Sequence, residues 1–125
     1  MNIQEALDFA DQMKPNMMSR QVKIAYLQEI DQLIYEEILL KHEHTQEQEV
    51  MPEYDTDTPD GTELLVPDPY SMLYVYWLMS KIDLLNMEMD KYNNDRALFE
   101  NAYDTMSDWW TRTKMPVRRT GEFRL

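Results

Sequence analysis

Apolar residues recur at steps of three and four over most of this chain, and the places where that rhythm stops divide it into elements. Ile3, Ala6, Leu7 and Ala10 fall on one helical face, and Asn2 followed by Glu5 has the spacing of a capping box. The spacing predicts a short first helix that Pro15 closes. Ser19 is a good N-cap for a second helix from about Arg20 to about Lys41, with Val22, Tyr26, Ile30, Leu33, Ile34 and Ile38 marking its apolar face. At ~1.5 Å per residue it would run ~33 Å, one side of a small bundle.

The rhythm then fails between His42 and Asp68. Pro52, Pro59 and Pro67, with Gly61, break this segment, and the short run Leu64 to Val66 is expected to form a brief strand or to rest on the core. Asp68 followed by Pro69 reads as a cap and first position of a third helix. That helix carries a stripe of Tyr70, Tyr74, Leu78, Ile82, Leu85, Met89 and Tyr92, widened by Leu73, Trp77 and Leu84. Apolar over so much of its circumference, it is expected to be the central, most buried element. Asn93 to Asp95 offer a new cap. Leu98, Phe99, Ala102, Tyr103, Met106, Trp109 and Trp110 continue the spacing to about Thr113, as a fourth helix that is either separate or joined to the third through a bend at the asparagines. Pro116 ends it, leaving Arg118 to Leu125 as an exposed tail.

The expected fold class is therefore all-α, a small bundle of three to four helices with a long acidic loop at 42–68 and an extended C-terminal tail. The 125 residues amount to one domain, 1–116, followed by a tail, 117–125. Tyr26, Ile30, Ile34, Tyr74, Trp77, Leu78, Ile82, Leu85, Phe99, Tyr103, Met106 and Trp110 are the expected core. Eleven methionines fit gap-filling between helices better than a cofactor pocket.

Charge changes the picture more than composition does. There are 24 acids against 12 Lys and Arg, a formal charge of -12, so phosphate backbones should be repelled except where basic residues cluster. Residues 42–68 hold nine acids and no Lys or Arg, whereas Arg112, Lys114, Arg118, Arg119 and Arg124 place five of the 12 cations in the last 14 positions. The segregation leaves three readings of the basic tail, flanked by Trp109 and Trp110: a segment that orders on an acidic protein surface, one that binds single-stranded nucleic acid, or a disordered solubilising extension.

The stretch "EYDTDTPDG", Glu53 to Gly61, looks like a cation loop until it is counted. From Asp55, Asp57 stands at position 3, but Pro59 occupies position 5, Gly61 position 7 and Val66 position 12, where a calcium loop needs an oxygen ligand, a residue past its glycine and a bidentate Glu. Alternate residues on a helix diverge, so His42 and His44 are badly placed to chelate from one. Two glycines in all leave no phosphate-binding loop, and the absence of cysteine removes disulfides, thiolate sites and cysteine nucleophiles. Glu36, Glu37 and the loop acids lack an accompanying base, nucleophile or oxyanion device, so no enzyme activity, metal or cofactor is expected. The N-terminus lacks the pattern of a signal peptide, and the longest uncharged apolar-rich run, Pro69 to Ser80, is shorter than the ~20 residues of a membrane span. A cytosolic origin fits best.

The segment "PYSMLYVYWLMSKIDLLNMEMDKYNNDRALFENAYDTMSDWWTRTKMP", together with "IQEALDFADQMKPN" and "LQEIDQLIYEEIL", resembles the head-tail connector (adaptor, or head-completion) proteins of tailed bacteriophages and prophages. The resemblance covers most of the chain apart from the acidic loop and the final tail. It implies a virion structural protein of the neck, made in the host cytoplasm, that forms a dodecameric ring beneath the portal protein and receives the tail or a stopper or tail-completion protein. Genomic DNA would pass through its channel without specific binding. It also implies that the tail, with Arg112, Lys114, Arg118, Arg119, Phe123, Arg124 and Leu125, reaches the portal, and that Glu53, Asp55, Asp57, Asp60 and Glu63 face the lumen or a neighbour. A second reading of the charge alone is a small acidic regulatory or DNA-mimic protein that occupies a basic site on a partner.

Overall fold

The computed structural model describes residues 1–114 and is all-α: α1 (Ile3–Met13), α2 (Arg20–Glu37), α3 (Met72–Leu85) and α4 (Met89–Thr113). Among the described residues there is no β-strand, and 42–71 is a loop that contains a single 3-10 turn at Gln46–Glu49. The calls on Arg118, Arg119, Phe123, Arg124 and Leu125 lie outside the described residues.

The predicted capping box starts α1: the Asn2 side chain accepts from Glu5 N–H at 2.8 Å, and the Glu5 carboxylate accepts from Asn2 N–H at 2.9 Å. Ser19 caps α2 by accepting from Val22 N–H. The buried face of α2 is Ile24, Leu27, Ile30, Ile34 and Tyr35, turned away from the expected Val22 and Leu33, which are exposed. Two apolar stripes overlap on this helix, and only packing against α1 and α3 decides which one is covered. The α-helical part of α2 ends at Glu37, four residues short of Lys41. A 3-10 turn at Leu39–Lys41 follows, and Ile38 and Leu39 are both buried in the core.

The start of α3 corrects the expectation for Asp68 and Pro69. The Asp68–Pro69 peptide is cis, and Tyr70 N–H bonds to Pro67 O in a turn. Asp68 is engaged by the Ser71 hydroxyl and by the Met1 α-amino group at 3.6 Å, so its carboxylate is not free to cap; the helix begins at Met72. As expected, α3 is the hub of the bundle, packed on α4, α1 and α2, with Leu73, Tyr74, Trp77, Leu78 and Ile82 buried.

The break between α3 and α4 falls at Asn86–Glu88, and Asn93 and Asn94 lie inside α4. The two helices are thus separate. Glu88 N–H bonds to Asp83 O and Met87 N–H to Leu84 O, the paired bonds of a Schellman C-cap, with Met87 at φ 59 in the left-handed position that glycine usually takes. This turn explains why Leu84, Leu85 and Met89, expected on the buried stripe, are exposed: the chain reverses there and the stripe has nothing to pack on. Leu85, with 54% of its surface exposed, leaves the predicted core. Ile30, Ile34, Tyr74, Trp77, Leu78, Ile82, Phe99, Met106 and Trp110 are buried, and Tyr26 and Tyr103 are partly buried against them. Tyr70 stacks on Trp109 at 4.8 Å, tying the start of α3 to the end of α4.

Candidate functional site

The acidic loop is fastened to the helices along its length. Tyr35 Oη donates to Glu49 O, Gln32 to Pro52 O, and Tyr54 N–H to the Gln28 side chain, so α2 carries the first half. The N-terminus holds the second half. Ile3 N–H bonds to Thr62 O, Gln4 N–H to Asp60 O and Leu64 N–H to Met1 O, giving an antiparallel bridge between Asn2 and Glu63. Of the two expectations for Leu64 to Val66, the second holds: Leu64 and Val66 are buried in the core and no strand forms.

The five loop acids are used in different ways. Asp55 Oδ1 accepts from Asp57 N–H at 2.8 Å and Thr58 N–H at 2.9 Å, closing a tight turn, and Asp60 pairs with Arg20 at the start of α2. Glu63 pairs with the Met1 α-amino group at 3.2 Å. The carboxylates of Glu53 and Asp57 stand on exposed residues. Among the described residues no group of three or more His, Asp or Glu is placed to hold a metal. His42 Nδ1 faces Ile38 O, whereas His44 bonds through Nδ1 to His42 O and through Nε2 to Glu49, so the two rings serve the local turn. The bond to His42 O, followed by the Glu49 carboxylate, raises the His44 pKa.

Beneath the loop lies a polar node that the apolar pattern gave no reason to expect. Asp31 is fully buried on α2 and accepts from Tyr54 Oη and Tyr74 Oη, each at 2.5 Å, and from Leu65 N–H at 3.1 Å. Tyr74 Oη in turn accepts from Val66 N–H at 2.9 Å. Burial raises the Asp31 pKa, against the pull of the three donors. One carboxylate therefore joins α2, α3 and two points of the loop. A single signal in the sequence could have found it, an acid between Ile30 and Ile34 where the apolar face should continue.

A second unexpected cluster sits where α1 ends. Lys14 Nζ stands 2.8 Å from Asp83 Oδ1 on α3 and 3.0 Å from Asp95 Oδ2 on α4, with both aspartates buried.

At the other end of α4, Arg112 and Lys114 are exposed, with Arg112 Nε donating to Asp108 O at 3.3 Å. Trp110 is buried and Trp109 partly so, which makes the pair part of the body of the bundle. The structure thus separates the predicted residues, placing the loop acids over α1 and α2 and the described cations at the end of α4. Among the described residues no helix is long and apolar enough to cross a membrane. Comparison of the chain with protein-family models, with curated proteins and with solved structures finds no match in any of the three.

Proposed function

We propose that this chain is a non-catalytic structural adaptor of the head-tail connector type, in which a helical body carries an acidic loop and presents a basic tail to a portal ring. The observation that carries this reading is the separation of charge on an ordered frame. The nine acids of 42–68 belong to a loop bonded down onto α1 and α2, while α4 ends with Arg112 and Lys114 and leads into a segment holding Arg118, Arg119 and Arg124. The resemblance of residues 69–116 to the connector family points the same way.

In that role copies of the chain form a ring under the portal, with the tail or a stopper protein below. The basic tail seeks an acidic surface on the portal. Repeated around a ring, the exposed carboxylates of Glu53 and Asp57 would make a wall along which genomic phosphates slide without being held. The loop's attachment matters here, because a charged wall must not be dragged along with the DNA it repels.

Quantitative mass spectrometry of particles from the phage or prophage that carries this gene tests the proposal. Tailed virions should contain the chain at a fixed ratio to portal subunits, and a chain lacking Val117 to Leu125 should fold yet be missing from particles. Presence only in the infected-cell lysate would overturn it in favour of the acidic regulator that occupies a basic site on a partner.

A further inference from the structure

A groove opens between α2 and α4 with an apolar floor and an acidic rim. Phe99 is buried in its floor and Tyr103 partly buried, and Leu33, which the apolar rhythm of α2 assigned to the buried face, is 40% exposed at its edge. At about 210 Å³ it is smaller than the roughly 300–1,000 Å³ of small-molecule pockets, and suits one or two side chains of a peptide.

Glu37 on α2 and Glu100 and Asp104 on α4 are exposed around it, and Arg96 is the one cation among its described lining residues. Three acids against one arginine give the groove a net charge of -2. Arg96 pairs with Glu100 at 3.3 Å and lies over the Phe99 ring, so its charge is already engaged. Glu37 accepts from the Tyr103 hydroxyl at 3.4 Å, and neither Glu37 nor Asp104 pairs with a cation among the described residues.

Such a surface repels phosphate and favours a peptide that carries both cations and apolar side chains. The chain itself carries that complement. Residues 115–125 hold Arg118, Arg119 and Arg124 against the single acid Glu122, with Phe123 and Leu125 beside them. The reach is sufficient. Asp104, Glu100 and Phe99 stand ~15–23 Å back along α4 from Lys114, at ~1.5 Å per residue. Eleven residues follow Lys114. Fully extended they span ~36 Å.

We propose that the segment 115–125 docks in the α2–α4 groove of its own chain, with Arg118 and Arg119 against Asp104 and Glu37 and Phe123 on the apolar floor. The tether favours the chain's own segment over that of another copy. A short flexible link holds its ends at an effective concentration in the millimolar range, so a weak site fills within one chain first. Exposed ion pairs are individually weak and are screened by salt, so the docking should loosen as ionic strength rises. This docking goes beyond the connector reading and does not depend on it. In a connector, the groove would hold the segment until a stronger acidic surface took it over.

The absence of cysteine lets a single nitroxide be placed at Thr120→Cys in the otherwise full-length chain. Amide NMR then reads where the segment lies. The label should broaden Leu33 and Glu37 on α2 several times more than Met72 and Tyr76 on α3, which line the groove on the other side of α4. A segment that merely swings from Lys114 would favour α3, because Tyr70 at its start stacks on Trp109 near the end of α4. Glu37→Lys with Asp104→Lys should abolish the preference for α2, and adding Arg118→Glu with Arg119→Glu should restore it. When labelled chain is mixed with unlabelled nitrogen-15 chain, the broadening should be absent from the latter. Equal broadening of the two sides, or a preference that reversing Glu37 and Asp104 leaves unchanged, would overturn the proposal. Broadening seen in the mixture at the same strength would give the groove to the segment of another copy and overturn docking within one chain.

Discussion

Tyr74 on α3 donates its phenolic hydrogen to Asp31 on α2 at 2.5 Å, joining two residues 43 positions apart in the chain. The same phenolic oxygen accepts from Val66 N–H, so it satisfies one buried acceptor and one backbone donor together. Tyr54 makes only the first kind of bond.

That difference predicts an order of effects. Tyr74→Phe orphans Val66 N–H as well as removing a donor to a charged group, and should cost about 3–4 kcal/mol; Tyr54→Phe should cost about 1.5–2 kcal/mol. Asp31→Ala strands three donors and should exceed both. Urea unfolding measures all three. Equal losses for the two tyrosine variants would mean that the bond to Val66 contributes nothing.

The tyrosines also report on burial. Burial, with the Asp31 charge, raises the phenols of Tyr54 and Tyr74 far above their usual value, and burial with the Glu37 charge pushes Tyr103 up to about 12. Being raised in the folded state, these groups add stability that is present below an unfolded pKa of about 10 and is lost as pH rises beyond it. An alkaline titration followed at 295 nm should therefore show three of the eight tyrosines ionising late, in step with loss of helical circular dichroism. Smooth ionisation of all eight in the folded chain would contradict this placement.

Met87 supplies a third test. Its side chain is 84% exposed while its backbone sits at φ 59, so glycine there would relieve strain with little packing to lose. Met87→Gly should raise stability by about 0.5–1 kcal/mol, the left-handed strain of a side chain less the extra flexibility glycine gives the unfolded chain. A loss of stability would show that Met87 makes a contact worth more than its strain.

The loop acids should respond unequally. Asp57→Asn should be neutral within about 0.5 kcal/mol, as expected of an exposed surface site. Asp55→Ala, which removes the acceptor of two backbone donors, should cost about 1 kcal/mol. Asp60→Asn should cost less than about 1 kcal/mol, as an exposed ion pair does. Millimolar calcium should leave the thermal midpoint of the wild type unchanged; a rise of several degrees would restore the cation reading of this loop.

Local signals in the sequence were sufficient for much of this protein. The Asn2–Glu5 box, the Ser19 cap, four apolar-periodic segments and the proline-punctuated acidic stretch follow from interactions within a few residues, and they yield the fold class, a count of three or four helices and most of the core. The all-round apolar character of α3 marked it as the central helix for the same reason. What the tertiary structure decided lies where two local solutions were nearly equal or where a partner is distant in sequence. The face of α2 that is buried depends on what α1 and α3 cover, and the chain reverses at Met87 because the Schellman bonds to Asp83 and Leu84 close there ahead of the asparagines. The Asp31 node and the Lys14, Asp83 and Asp95 cluster consist of charged residues set into apolar stripes. Periodicity reads such residues as interruptions, and only their partners, brought from other helices and from the loop, make their burial tolerable.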